Sequence, residues 1–131
     1  MRPWPERYVG LPWKAMGRDR NGADCWGLVR LVLLEQRGIA LPLWDTVDPF
    51  DRATVSDAVD GSLASGDWQP VEPAAIREFD FAVMRGVGVH IGIVAPRRFI
   101  LHVQRDDCAV LQQVSALSHR IAGFHRHKGL S

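Results

Sequence analysis

One cysteine and two histidines follow one another along the chain in the order that an activated thiol requires. Cys25 opens an apolar stretch typical of a helix, and His90 and His102 lie far downstream in strand-like segments. A thiol is activated by a nearby imidazole, and a third polar group can fix the tautomer of that imidazole. The sequence therefore predicts a thiol hydrolase in which Cys25 attacks, His90 takes the thiol proton and His102 orients His90. Cys25 taken alone is also consistent with a small buried packing residue.

The predicted nucleophile lies in the first turn of a helix. The polar segment 18–22 ends in an Asn-Gly turn, and Asp24 is a preferred N-cap residue. The apolar periodicity predicts a helix that runs to Arg37 and stops at Gly38. A helix N-terminus and a neighbouring imidazolium both favour a thiolate. We therefore expect Cys25 to react at a lower pH than an ordinary thiol.

The two histidines lie in a predicted β-hairpin. Val87–Val94 and Phe99–Val103 alternate and are rich in β-branched residues, with the turn Ala95–Arg98 between them. A three-residue loop closed by Val94 and Arg98, or a five-residue loop closed by Ile93 and Phe99, places His90 directly opposite His102 on one face. A four-residue loop would place them on opposite faces. The predicted site thus depends on an odd loop length.

The middle of the chain is acidic and contains several aromatic residues. Most of the acids lie between Asp45 and Asp80, where Asp51 is expected to cap a short helix through about Leu63. The segment Gly66–Pro73 is predicted to be a loop. Trp44, Phe50 and Trp68 interrupt this acidic stretch. They could form a docking surface for a partner or could cover the core beneath a long loop.

Composition indicates one small domain over residues 1–131. The chain is 47% hydrophobic and has a formal charge of +1, which gives no case for nucleic acid as a partner. The first residues lack the apolar region of a signal peptide, and no segment is long enough to span a membrane, so we expect synthesis in the cytoplasm. A disulfide between Cys25 and Cys108 would silence the nucleophile, and Cys108 is interpreted as buried packing.

No cofactor is expected. The sequence has no glycine-rich phosphate loop, and His119, His125 and His127 with Cys108 lack the spacing of a structural zinc site. The expected chemistry is therefore carried by side chains alone, and no metal ligands are predicted.

Most of the chain resembles the NlpC-type cell-wall cysteine peptidases. The resemblance is greatest to the branch found in phage tail-tip assembly proteins and gene transfer agents. It rests on the combination and order of the motifs, which are Tyr8–Trp13, Gly22–Arg30, Gly38–Pro42, Phe79–Arg85, His90–Val94, Leu101–Val103 and Ile121–Arg126.

The resemblance implies a papain-like α+β fold, with an N-terminal nucleophile helix packed on an antiparallel sheet. It implies a catalytic triad of Cys25, His90 and His102, and hydrolysis of peptidoglycan stem peptides, typically between γ-D-glutamyl and a diamino acid. Implied partners are the stem peptide and the hub proteins of a phage-like tail tip or baseplate. The chain would then leave the cytoplasm within the tail particle and act at the bacterial cell wall. No membrane partner is implied.

Three positions depart from the pattern of that family. Trp13 replaces a tyrosine that helps to orient substrate, Trp26 follows the cysteine where serine is common, and Arg77–Asp80 replaces a Pro-Gly-Asp turn. Trp13, Asp24 and Trp26 are the candidate substrate-binding residues. Two alternatives remain open: a structural tail or baseplate subunit with vestigial activity, and a papain-like acyl transferase or esterase.

Overall fold

A six-stranded antiparallel sheet forms the centre of the fold. The computed structural model describes residues 3–44, 47–86 and 88–130. The order in the sheet is β3-β8-β4-β5-β6-β7, and every neighbouring pair is antiparallel. The strands are β3 (Trp68–Val71), β4 (Phe81–Gly86), β5 (Gly88–Ala95), β6 (Phe99–His102), β7 (Val110–Gln113) and β8 (Ile121–His127), and a separate two-stranded ribbon consists of β1 (Arg18–Asp19) and β2 (Gly22–Ala23).

The helices pack on and around this sheet. They are α1 (Cys25–Arg37), α2 (Arg52–Leu63) and the short α3 (Val114–Leu117), and 3-10 turns occupy Trp4–Arg7, Pro73–Ala75 and Lys128–Leu130. Both α1 and α2 pack against β5. Within the described ranges, no helix has the length and apolarity needed to cross a bilayer. The α+β fold with a helix packed on an antiparallel sheet is confirmed.

The sheet has apolar side chains on both faces. One face packs with the buried side of α1 in the larger core, which includes Leu28, Val32, Phe81, Ile91, Ile93 and Leu101. The other face and α3 form a smaller core that includes Ala82, Met84, Val94, Ile100, Leu117 and Phe124. Successive residues of β4 alternate between the two cores, as expected for a strand that is buried on both faces.

The predicted ends of α1 and α2 are confirmed. The Asp24 carboxylate accepts from the Gly27 N–H at 2.8 Å and caps α1, and Gly38 ends the helix at a φ of 67°. Asp51 caps α2 by accepting from the N–H groups of Ala53 and Thr54. These ends follow from side-chain and glycine signals that lie within a few residues of each helix end.

The predicted loop over Gly66–Pro73 is wrong in part, because β3 lies within it. Trp68–Val71 pairs with β8 at the edge of the sheet. An edge strand tolerates Pro70, because its outer side has no neighbouring strand that needs backbone N–H donors. The Trp68 side chain is only 6% exposed and packs on Phe81. Trp68 is therefore a core residue, so of the two alternatives for this residue the docking surface is wrong.

The β5–β6 hairpin has the predicted odd loop but a different register. Ala95 pairs with Phe99 and Ile93 with Leu101, so the loop consists of residues 96–98. His90 consequently does not face His102 directly, as predicted, but lies diagonally from it. The observed pairing is shifted by two residues from the predicted one, and such a shift keeps both histidine side chains on the same face. The odd loop length is confirmed, and the direct pairing is wrong. Val87, the predicted start of the first strand, lies outside the described residues.

Candidate active site

Cys25 and His90 line one cavity of about 280 Å³. The start of α1 supplies Cys25 to the wall of this cavity, and the beginning of β5 supplies His90. Part of the middle segment also contributes, because Trp44, Val47 and Phe50 line the same space. The fold therefore brings together two predicted catalytic residues that are far apart in sequence.

The Cys25 thiol lies against the backbone of β5. It accepts hydrogen bonds from the N–H groups of Ile91 and Trp26, and Ile91 directly follows His90. Burial, followed by the negative charge of Asp24, raises the pKa of Cys25 to about 12 despite those hydrogen bonds. We therefore expect a neutral thiol in the free protein at neutral pH. This differs from the sequence-based expectation of a thiolate, because burial outweighs the helix N-terminus.

His90, His102 and Gln112 form a chain of hydrogen bonds. His90 Nε2 lies 2.8 Å from His102 Nδ1, and His102 Nε2 lies 2.5 Å from Gln112 Oε1. The Gln112 oxygen can only accept, so His102 carries its proton on Nε2 and its Nδ1 accepts. His90 must then donate from Nε2, which leaves its Nδ1 unprotonated. The chain thus presents a free base nitrogen on His90.

Both histidines are held neutral. Burial, then the nearby charges of His102 and Arg120, lowers the pKa of His90 to about 3. Burial is also the main reason that the pKa of His102 lies below its usual value, although Gln112 opposes this effect. A neutral His90 keeps the unprotonated ring nitrogen that a general base requires, but a pKa this far below 7 makes His90 a weak base in the unliganded protein.

We expect alkylation of Cys25 by iodoacetamide to be slow at neutral pH. The raised pKa of Cys25 keeps the reactive thiolate scarce, so the rate should be below that of free cysteine at pH 7 and should keep rising beyond pH 9. Mass spectrometry of a Cys108→Ala protein would isolate the reaction of Cys25. A rate that reaches a plateau below pH 7 would instead indicate a thiolate-imidazolium pair in the free protein.

All three candidate substrate-binding residues line the cavity, but Asp24 already has partners. Its carboxylate accepts from Gly27, from the Met16 N–H and from Arg18, which lies 2.8 Å away in an ion pair. Asp24 therefore acts primarily as a helix cap and an anchor for the loop before α1. The two tryptophans, Trp13 and Trp26, remain available as apolar walls.

The cavity walls are aromatic. The Trp26 indole N–H donates to the Pro42 carbonyl, and its ring stacks on Trp44 with centroids 3.5 Å apart. Trp13 meets the exposed Phe50 edge to face. The middle segment thus contributes Trp44 and Phe50 to the cavity, which extends the aromatic lining that Trp13 and Trp26 begin.

Sequence reasoning missed Gln112. Its side chain reaches His102 from β7, where Gln112 pairs with Ile100 and Val110 pairs with His102. The two polar side chains are therefore diagonal neighbours on the same face of the sheet. The sequence signal for Gln112 was weak, because it is a single amide side chain in a short strand. Its contact with His102 depends on the register between β6 and β7, which the sequence did not reveal.

Gly92 leaves the space in which the histidine pair forms. A Cβ at this position would lie 2.7 Å from Ile100 Cγ2, 2.9 Å from the Leu101 carbonyl oxygen and 3.0 Å from His102 Cβ. Gly92→Ala is therefore expected to displace β6 and to lower the free energy of unfolding by about 1–3 kcal/mol. Denaturant unfolding measures this loss, and the ring resonances of both histidines should shift in NMR spectra.

Gly61→Ala provides the matched control. A Cβ at Gly61, within α2, meets nothing within 4 Å. The same substitution should therefore stabilise the protein by about 0.5–1 kcal/mol through helix propensity. If Gly92→Ala is tolerated equally well and the histidine resonances do not move, the proposed role of this gap is wrong.

Three solved structures with a similar fold are NlpC/p60 proteins. The chain is 19% identical to the NlpC/p60 domain of the peptidoglycan hydrolase SagA, with a TM-score of 0.60 over 92% of this chain and 90% of that domain. It is 18% identical to an NlpC/P60 family protein from Bacillus cereus ATCC 10987, with a TM-score of 0.67 over 94% of this chain and 37% of that one. An NLP/P60 family protein similar to lipoprotein, from Staphylococcus aureus subsp. aureus Mu50, gives 19% identity and a TM-score of 0.66 over 94% and 38%.

These comparisons concern the fold. The chain spans less than two fifths of the B. cereus and S. aureus proteins, and nearly all of the SagA domain. No family model and no curated protein matches the sequence. The described structure, with a helix that begins at Cys25 and a sheet that carries His90 and His102, has the papain-like fold of NlpC/p60 domains.

Proposed function

We propose that this chain is a cysteine peptidase that cleaves peptidoglycan stem peptides, at the amide between γ-D-glutamyl and a diamino acid. The observation that carries the proposal is the hydrogen-bonded chain from His90 through His102 to Gln112, which borders the cavity that also contains Cys25. The NlpC/p60 fold and the resemblance of the motifs support the choice of substrate.

The proposed reaction begins with a neutral thiol and a neutral imidazole. As Cys25 Sγ bonds to the amide carbon, its proton passes to His90 Nδ1, and His102 stabilises the resulting imidazolium by accepting from Nε2. The Cys25 backbone N–H, at the start of α1, has no intrahelical acceptor and stabilises the oxyanion, whereas the Gly27 N–H already donates to Asp24. His90 then gives its proton to the leaving amine. Water, deprotonated by His90, releases the acyl group and restores the thiol.

Digestion of purified peptidoglycan tests this proposal. The protein should release stem fragments with a new γ-D-glutamyl carboxyl and a new diamino acid amine, identified by mass spectrometry. Cys25→Ala should release none, and Cys108→Ala should match the unmodified protein. Equal release by the Cys25→Ala protein, or no amide cleavage by the unmodified protein, would contradict the proposal. Cleavage of esters or thioesters alone would favour the esterase or acyl transferase alternative.

The proposal extends to the setting in which the enzyme acts. The sequence resembles the branch of phage tail-tip proteins, and this resemblance supports a tail-tip or baseplate component that is made in the cytoplasm and carried to the cell wall in a particle. Sedimentation of particles, followed by mass spectrometry, should find the chain in the particle fraction. A chain that stays entirely in the soluble fraction would contradict this setting. A particle-bound chain that cleaves no amide would favour the structural alternative.

A further inference from the structure

The end of the cavity near His90 carries two arginines, Arg52 and Arg120. Arg52 is the first residue of α2, and Arg120 directly precedes β8. Neither guanidinium forms an ion pair with a carboxylate among the described residues. The two guanidinium groups therefore make this end of the cavity electropositive.

Both arginines lie against the hairpin that leads into His90. A Cβ placed on Gly88 would lie 3.3 Å from Cγ and Cδ of Arg52. A Cβ placed on Gly86, the partner of Gly88 across β4 and β5, would lie 4.0 Å from Nε of Arg120. Arg120 is also close enough to His90 to lower its pKa. Gly88 thus leaves space for the Arg52 side chain beside the strand that carries the base, and Arg120 lies within ordinary contact distance of Gly86.

The acids of the middle segment do not neutralise these cations. The Asp51 carboxylate caps α2, and Asp60 pairs with Arg85 at 2.9 Å. Inside the cavity Asp24 is paired with Arg18. A segment that is acidic in sequence therefore supplies Arg52 to the cavity, while Asp51 bonds within α2 and Asp60 pairs with Arg85.

The position of His90 determines which half of the substrate meets these arginines. His90 protonates the leaving amine in the proposed reaction, so the half of the substrate that carries this amine must lie on the His90 side of Cys25. Arg52 and Arg120 line that side. Guanidinium groups bind carboxylates through charge-assisted hydrogen bonds, often in bidentate geometry.

We infer that the amine-side half of the substrate carries a carboxylate that Arg52 and Arg120 bind. This inference rests on the proposed function and makes the two arginines specificity-determining residues. The carboxylate has two chemical sources: the terminal carboxylate of the stem peptide, or the side-chain carboxylate of a diamino dicarboxylic acid.

Peptides that differ only in amine-side carboxyl groups distinguish these cases. Each contains a γ-D-glutamyl amide to a diamino dicarboxylic acid; one has all carboxyls free, one a terminal carboxamide and one a side-chain carboxamide. A fourth peptide has lysine, which lacks the second carboxylate. Loss of the bound carboxylate should lower kcat/KM roughly tenfold to a hundredfold, mostly through KM. The terminal source predicts that only the terminal amide is poor, whereas the side-chain source predicts that the side-chain amide and lysine peptides are poor.

Arginine variants connect this preference to the two residues. Arg52→Gln and Arg120→Gln should each reduce the preference for the free carboxylate, measured as the ratio of kcat/KM for the free and the amidated peptide. Because this is a ratio, any effect of Arg120→Gln on His90 itself cancels. Arg37→Gln, in the last turn of α1 far from Cys25, is the matched control and should retain the full preference. If a variant fails to fold, the preference of the unmodified protein among the four peptides still tests the inference. Cleavage of all four peptides within about twofold of one another would overturn the inference.

Binding to the Cys25→Ala protein separates this inference from the proposed function. Calorimetry with the four intact peptides measures recognition without cleavage. If the unmodified protein cleaves none of them, the proposed function fails, and the binding preference alone decides the inference. Tighter binding of the free carboxylate supports it, and equal binding of the free and amidated peptides overturns it.

Discussion

Replacing His90 with alanine is expected to lower kcat for stem-peptide cleavage by roughly a hundredfold to ten-thousandfold. The pKa of Cys25 is raised to about 12, so very little thiolate exists at neutral pH without a base. His90 Nδ1 is the base that the hydrogen-bond chain leaves free. Its removal takes away both deprotonation of the thiol and protonation of the leaving amine. Single-turnover kinetics with a synthetic stem peptide would measure the loss directly.

Other histidines provide graded controls for this prediction. His102→Gln should retain part of the activity, because an amide oxygen can still accept from His90 Nε2. His119→Ala removes an exposed histidine outside the cavity and should leave kcat unchanged. If His90→Ala remains folded and loses less than tenfold, His90 is not the base. If His102→Gln is as inactive as Cys25→Ala, His102 does more than orient His90.

Short-range signals predicted the elements that carry the candidate site. Asp24 and Gly38 bracket α1 because capping depends on only a few neighbouring residues, and the alternation around His90 and His102 identified the strands. The register of their hairpin could not be predicted in the same way. Arg97 and Arg98 both adopt a positive φ in the turn, a conformation for which arginine gives no sequence signal.

Long-range contacts determine what the sequence did not predict. Trp68 belongs to a strand because β8, almost sixty residues later, provides its hydrogen-bonding partner. Gln112 reaches His102 only because β7 pairs with β6. The neutral state of Cys25 likewise reflects burial, which depends on the assembled fold rather than on the helix that begins beside it.

Replacing Arg126 with methionine is expected to lower the free energy of unfolding by about 3–5 kcal/mol. Arg126 holds Asp80 through two hydrogen bonds, Nε to Oδ1 at 2.8 Å and Nη2 to Oδ2 at 2.7 Å. Asp80 has no solvent exposure, so methionine would leave a buried carboxylate without its charged partner. Denaturant unfolding at pH 7 measures the loss.

A second, exposed ion pair provides a matched comparison for Arg126→Met. Arg85 and Asp60 also form an ion pair, at 2.9 Å, but both side chains are about half exposed. Arg85→Met should therefore cost less than about 1 kcal/mol. The double variant Asp80→Leu with Arg126→Met removes both buried charges and should cost less than Arg126→Met alone, since no unpaired carboxylate remains.

The location of the buried pair connects this stability prediction to the site. Asp80 also accepts a hydrogen bond from the Arg77 N–H and so fixes the turn that precedes β4. Arg126 belongs to β8, the neighbour of β4 on the side opposite to β5. β4 continues through its hairpin into β5 and His90. We therefore expect Arg126→Met to broaden the His90 and His102 ring resonances in NMR spectra under conditions where the protein is still folded. A loss no larger than that of Arg85→Met, with unchanged histidine resonances, would show that Asp80 is not held by this pair.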